Sequence, residues 1–446
     1  MVTMQPTVRD LDTALETLRS EDPKAAQSAD SAVQWLTAGE GFDGVTQHAL
    51  QDFLWYTLPK KFLASVETQL EVADALGRLL EMVGLSRYAA ISRSETTRDC
   101  IKAWDKDEGL PAYRRAQKGS GVEPPDTEEL AWGTYFGLQE NAALSGAAAA
   151  LEMAILAGDL EPGAPGWTKR QKEITRAWLT TSNAAFEGKT PLEAVHAERV
   201  EDWLRGRSDA RRSLLERIAA RLAEPMAVPE DAEKSLEPLR WFLSAAEQEI
   251  PLTQKHNLGR AFVQEAAARY DWWDFFHRLT TELEVPYLRK LHHFARRLKL
   301  VRRKGRKLLL APAGRRGLKD IETLWRTVAR GLFVGEDFEY AVAEVLFPLL
   351  ITEGEIPTDD IEARLAPILA EQGWSTRDEW GNSVPIDERG AARGMWDVTK
   401  IAVPLGMMSK GGDWQDRSLE LTHFGVATGL EGLRARSVAP RRNIFA

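Results

Sequence analysis

From Val8 to Gln117, apolar residues recur at three- and four-residue steps, as in Leu70, Ala73, Leu76, Leu80 and Val83, which is the spacing of one buried helix face. Strand-like alternation is absent there. The segment Lys118-Gly-Ser-Gly-Val-Glu-Pro-Pro-Asp126 has the composition of a boundary. Helical patterning then resumes through an Ala-rich stretch near Leu138 to Leu156, breaks at Glu161-Pro-Gly-Ala-Pro-Gly166, and runs again from Trp167 to Ala223. Pro225 and Pro229 mark the next break.

Beyond Leu236 the grammar changes. Helical patterns over Leu236 to Gln248, Leu258 to Tyr270 and Pro286 to Leu298 precede Leu300 to Gly314, where two apolar segments flank a Lys304-Gly305-Arg306 turn and predict a hairpin. A comparable order follows: helices over Phe338 to Leu350, Asp360 to Glu371 and Asp387 to Ile401, then Leu405-Gly-Met-Met, a Gly-rich turn and Leu419-Glu-Leu421. In both, a strand end is followed by a glycine four residues on, Leu310 to Gly314 and Leu421 to Gly425, which suggests a divergent repeat. A fainter echo pairs Trp35 and Val45-Thr-Gln47 with Trp241 and Leu252-Thr-Gln254, a third, wingless copy if it holds. Three helices and a terminal hairpin resemble winged helix-turn-helix domains. The resemblance covers about half the chain and implies that the third helix is a recognition helix and the hairpin its wing.

The expected architecture is therefore mainly α, a multi-domain helical protein with two winged-helix modules in its C-terminal half. The boundaries read as a helical domain over 1–120, a central helical domain over 121–230, a basic winged-helix module over 231–331 and a second winged-helix-like module over 332–446.

The composition excludes several classes. Across 446 residues, 58 Lys and Arg against 67 Asp and Glu leave a net charge of −9, which rules out a uniformly basic coat. One cysteine, Cys100, permits neither an internal disulfide nor a Cys-rich zinc module, so a reducing, cytoplasmic setting is expected. Met1 to Asp10 lacks the basic and apolar regions of a signal peptide, and Ala142 to Gly158 is too short and too rich in alanine to span a bilayer.

Charge resolved along the chain changes the picture. Arg289 to Arg316 carries Arg289, Lys290, Arg296, Arg297, Lys299, Arg302, Arg303, Lys304, Arg306, Lys307, Arg315 and Arg316 with no Asp or Glu, twelve positive charges that leave −21 for the remainder. Leu288, Leu291, Ala295 and Leu298 share one face of the third helix, which turns Arg289, His293, Arg296 and Arg297 to another. Such a surface suits a polyanion, because cations that neutralise phosphates release condensed counterions. Lys304 and Arg306 would reach an adjacent backbone segment or the minor groove, and Arg289, Lys290 and His293 would be the base-reading side chains. DNA is the expected partner, with RNA open. The alternative is that the patch balances an acidic neighbouring domain or docks an acidic protein. The second module mixes Arg389, Arg393 and Lys400 with Asp387, Glu388 and Asp397, and its turn carries Asp413 and Asp416. It reads better as a dimerisation or protein-docking module.

A second resemblance lies at Ala177 to Val195. Trp178, Leu179 and Asn183 precede Gly188-Lys-Thr-Pro-Leu-Glu193, which is similar to the toxin-binding C-terminal region of the Xre, MbcA and ParS antitoxins. The resemblance implies a partner-binding role for Trp178, Asn183, Thr190 and Pro191. The residues themselves spell a helix start: Thr190 as N-cap, Pro191 at the first position and Glu193 completing a capping box.

No catalytic machinery or cofactor is expected. Gly188-Lys189-Thr190 mimics the end of a phosphate-binding loop, but Asn183 replaces its first glycine and a helix precedes it. There is no G-x-G-x-x-G, G-x-S-x-G or H-E-x-x-H. His292 and His293 diverge by about 100° on a helix and cannot share a metal unaided, so packing or phosphate contact is expected of them. The carboxylate pairs Glu128-Glu129 and Asp359-Asp360 are expected near helix starts, where capping and dipole complementarity suffice to explain them. The aromatic cluster Tyr270, Trp272, Trp273, Phe275 and Phe276 offers base stacking or, more simply, a core or interface. The 15 tryptophans are scattered along the chain and are expected mostly to anchor several helical cores.

Overall fold

The computed structural model describes residues 11–37, 42, 45–205, 208–270, 280–335, 337–411 and 417–441. Helix makes up 67% and strand 7%, so the fold is mainly α, as the patterning predicts. The chain divides into two compact units, 1–198 with 440–446, and 199–439.

In the first unit, helices Leu11–Glu21 and Pro23–Thr37 pack on Val66–Met82. The last buries Ala73, Leu76 and Leu80, three of the positions the periodicity singles out. Ser65 starts it by accepting a hydrogen bond from the Thr68 N–H, a cap worth about 1 kcal/mol. The break at 121–137 begins where Gly121 ends the helix Gly109–Ser120 in the left-handed region, φ 80°. A smaller core follows, in which Leu130, Ala143, Leu179, Phe186 and Val195 join the helices Leu138–Ala157 and Trp167–Thr180. Residues 440–441 return to this unit: the Arg441 carbonyl accepts from the Thr134 N–H at 2.7 Å, and its guanidinium donates to Glu198 at 2.7 Å.

The second unit contains the repeat. Its first copy runs α1 (Glu237–Glu247), β1 (Ile250–Pro251), α2 (Arg260–Arg269), α3 (Pro286–Arg297), β2 (Val301–Lys304) and β3 (Lys307–Leu310). Two helices follow, α4 (Pro312–Lys319) and α5 (Ile321–Phe333). The second copy runs α6 (Phe338–Glu353), β4 (Ile356–Pro357), α7 (Thr358–Glu371), the hairpin β5 (Ser375–Arg377) and β6 (Ser383–Pro385), α8 (Glu388–Ala402), β7 (Met408–Gly411) and β8 (Ser418–Leu421), and α9 (His423–Ser437) closes it. The sheets have matching orders, β1-β3-β2 and β4-β8-β7, all antiparallel.

The copies match residue by residue at the joints. Ile250 pairs with Leu308 and Ile356 with Leu419, each from a Glu-Ile-Pro triplet. Glu249 receives the Lys307 ammonium, and Glu355 receives the Ser418 hydroxyl at the equivalent strand position. Gly314 and Gly425 also coincide: a Cβ on either would overlap a backbone carbonyl, that of Leu300 or Met407, at the end of the third-helix segment. The four-residue step from strand end to glycine is therefore a packing requirement shared by both copies. The fainter N-terminal echo is not kept locally. Thr46 caps the helix Gln47–Asp52, whereas Thr253 closes a turn with Asn257 after β1.

One core spans both copies, with Phe242, Phe294, Trp325, Phe333, Phe347 and Phe424 fully buried. Trp325 on α5 donates its indole N–H to Thr428 on α9 at 2.9 Å, which satisfies the polar end of a buried aromatic.

Candidate nucleic-acid interface

The third helix forms because Pro286 suits a first turn and its apolar positions are one face apart. Leu288, Leu291, Phe294 and Ala295 are buried; Arg289, His293 and Arg296 point to solvent. The helix ends in a paired-bond cap: the Leu300 N–H donates to the Ala295 carbonyl at 2.9 Å and the Lys299 N–H to Arg296 at 3.0 Å. Lys299 takes the left-handed position, φ 56°, that Gly406 occupies at the corresponding joint of the second copy. A lysine there costs about 1 kcal/mol relative to glycine. Its side chain is exposed and has no ion-pair partner among the described residues.

The hairpin turns through Gly305-Arg306, with Gly305 at φ 59°, the positive φ that a two-residue hairpin loop demands. Val301, Leu308 and Leu310 anchor it to the core, while Arg302, Arg303, Lys304 and Arg306 are exposed. Arg302 and Lys304, two residues apart, share the face opposite Val301. Arg315 and Arg316 are exposed on α4.

Three of the twelve cations are paired. Lys290 bridges Glu339 of α6 and Asp397 of α8, the latter at 3.2 Å; Arg297 bonds Glu339 at 3.0 Å; Lys307 bonds Glu249. Arg289, Arg296, Lys299, Arg302, Arg303, Lys304, Arg306, Arg315 and Arg316 have no carboxylate partner among the described residues. The window thus contains both a self-neutralised part, turned to the second copy, and an unneutralised part on the outer face of α3 and the hairpin. The two parts are not separable in the sequence, because Glu339 and Asp397 lie 49 and 107 residues from Lys290 along the chain. For Glu249 a signal existed, the repeated Glu-Ile-Pro.

The two histidines part company. His292 is buried, its Nδ1 bonded to Glu282 at 2.8 Å, while the other Glu282 oxygen accepts the Leu258 N–H at 2.6 Å. It ties α3 to the start of α2, a packing role. His293 is on the free face; desolvation first, then the neighbouring His292, Arg289 and Arg296, lower its pKa, with Glu282 opposing.

The second copy places Lys410 of β7 over the Tyr287 ring at 5.1 Å, beside the start of α3. Asp413, Asp416 and the aromatic run Trp272, Trp273, Phe275 and Phe276 lie outside the described residues. Tyr270 packs edge-on against Trp241, 5.4 Å between centroids, and donates its hydroxyl to Glu237.

In the first unit, the Ala177 to Val195 motif builds a helix joint. The Thr190 N–H donates to Glu193 at 2.8 Å and the Glu193 N–H to Thr190 Oγ1 at 3.1 Å, the reciprocal capping box. Pro191 is buried at the first helical position. Asn183 accepts from the Ala185 N–H, and the half-buried Trp178 lies against Gly146 and donates to the Ala143 carbonyl at 3.2 Å. These four residues are engaged within their own unit.

No helix among the described residues is long and apolar enough to cross a membrane, and none of their His, Cys, Asp and Glu side chains group as a metal site. The second unit is thus of the class built on a repeated helix-strand-helix-helix-hairpin module with a cationic first copy. Residues 239–322, from α1 into α5, are similar to the Y4jL N-terminal domain family. No curated protein and no solved structure matches the chain.

Proposed function

We propose that the protein is a non-enzymatic DNA-binding protein whose two repeated modules, Glu237 to Leu310 and Phe338 to Leu421, are winged helices, the first of which contacts the phosphate backbone. The observation that carries this reading is the set of nine exposed cations without carboxylate partners on α3, its cap, the hairpin and α4. Cations retained beside abundant acidic residues yet left unneutralised favour an external polyanion over internal charge balance. The matched sheet orders and the left-handed Lys299 support it further. Within this reading Arg289, His293 and Arg296 face the duplex, the hairpin cations hold an adjacent backbone segment, and Lys290 and Arg297 are committed to the second module.

Docking of an acidic protein is the second reading, favoured by one observation: Lys290 and Arg297 already accept a protein carboxylate, Glu339. The two separate on purification at low salt. Nuclease-sensitive absorbance at 260 nm travelling with the chain supports nucleic acid; a stoichiometric acidic protein without it supports docking.

A further inference from the structure

A cavity of about 630 Å³ opens between α3 of the first module and α6 and α8 of the second, within the range of small-molecule sites. Its cations are Arg289, Lys290 and Arg297 from α3 and Lys400 from α8; its carboxylates are Glu339 and Asp397. With His293 held toward its neutral form, four positive and two negative charges leave the cavity two positive charges in excess. Leu283, Pro286, Phe294 and Ile401 supply an apolar wall. Lys290 is only 25% exposed at the side chain and Arg297 30%, so an anion placed between them is partly shielded from water and held more strongly than at an open surface.

We propose that this cavity binds a phosphate monoester carrying a flat aromatic ring, a class that includes the nucleoside monophosphates. A monoester carries a charge of roughly −1.5 to −2 at pH 7, close to the excess in the cavity, and three acceptor oxygens for convergent guanidinium and ammonium donors. The ring lies against the apolar wall. The phosphate draws Lys290 and Arg297 from Glu339, which loosens the ion pairs joining the two modules beside the proposed nucleic-acid face. A duplex cannot fill this site, because the cavity lies between the modules and holds one small ligand. The inference stands apart from the nucleic-acid reading: Lys400 lies on α8, outside the basic window, so its substitution tests the cavity alone.

The test is calorimetric titration of the full chain with adenosine monophosphate, with adenosine and inorganic phosphate as its two halves. The expected result is saturable binding with one site per chain, at least tenfold tighter for the monophosphate than for either half. Lys400→Glu weakens it at least tenfold while leaving DNA affinity and its salt dependence unchanged. Arg297→Gln, which keeps a polar side chain but removes the charge, weakens it as well. Absence of saturable binding to the folded chain, equal binding of inorganic phosphate alone, or unchanged affinity in Lys400→Glu overturns the proposal. Loss of DNA binding by the unsubstituted chain would overturn only the earlier reading.

Discussion

Arg297 Nη1 of α3 lies 3.0 Å from Glu339 Oε2 of α6, and Lys290 meets the same carboxylate, so one glutamate holds two cations of the basic window against the second module. Glu339→Gln removes that competitor for phosphate. Because Lys290 and Arg297 line the cavity between the modules, adenosine monophosphate affinity is expected to rise several-fold, while DNA affinity and its salt slope stay unchanged. Stability should fall by no more than about 1 kcal/mol, since the pair is partly exposed. Binding titrations at several salt concentrations, with a melt of each protein, check it.

Lys299 is expected to behave in the opposite way to an ordinary structural residue. Lys299→Gly relieves a left-handed backbone and should leave the fold as stable or up to about 1 kcal/mol more so. It should still weaken DNA binding and flatten the salt slope by about 1. Urea unfolding and binding on the same variant read both effects.

Gly314→Ala and Gly425→Ala each force a methyl onto a backbone carbonyl, Leu300 in one copy and Met407 in the other. Both should destabilise the second unit by about 1–3 kcal/mol, the range for overpacking. Gly119→Ala is the control: nothing lies near that position within the helix Gly109–Ser120, and the change should be neutral or stabilising. Denaturant midpoints of the three variants decide it.

Glu344 on α6 is buried between Arg211, with which it is paired closely, and Arg436 at 3.4 Å. Desolvation first, and then Arg436, lower the Arg211 pKa to about 10. Glu344→Ala leaves the deeply buried Arg211 guanidinium without its carboxylate and is expected to cost about 3–5 kcal/mol. Restoring neutrality with Arg211→Met in the same chain should recover a large part of that loss in a thermal melt.

His48 in the helix Gln47–Asp52 bonds Glu123 at 2.8 Å. Burial opposes its charge, but the Glu123 hydrogen bond and charge, with Asp52 behind them, raise its pKa overall. A raised folded pKa means that the contribution is complete below the ordinary histidine value and is lost as pH rises through the folded one. The stability gap between the unsubstituted chain and His48→Gln should therefore be larger at pH 5.5 than at pH 9. Paired melts at the two values test the sign.

The helices of both modules and the first hairpin are legible in the sequence because each has a strong local signal. Leu288, Leu291 and Ala295 mark a face, and Gly305 marks a turn. The two-residue strands Ile250–Pro251 and Ile356–Pro357 have no period to read, and the exposed hairpin Ser375 to Pro385 alternates too little to predict. The basic window is legible as composition. Its division into free and paired cations is not, because that depends on which carboxylates the second module brings to α3. Around Trp178 and Asn183 the legible part is local: the motif spells a helix joint, and both side chains make hydrogen bonds within their own unit.

The central claim is that the unpaired cations of α3 and the hairpin bind phosphate. Anisotropy titration of a labelled duplex across a salt series, with the unsubstituted chain and with Arg289, Arg296, Arg303 and Lys304 all changed to Glu, tests it most directly. Six phosphate contacts predict a slope of log affinity against log salt near −5 for the unsubstituted chain, and loss of binding in the folded variant. Equal affinity and slope in the two proteins would contradict the account.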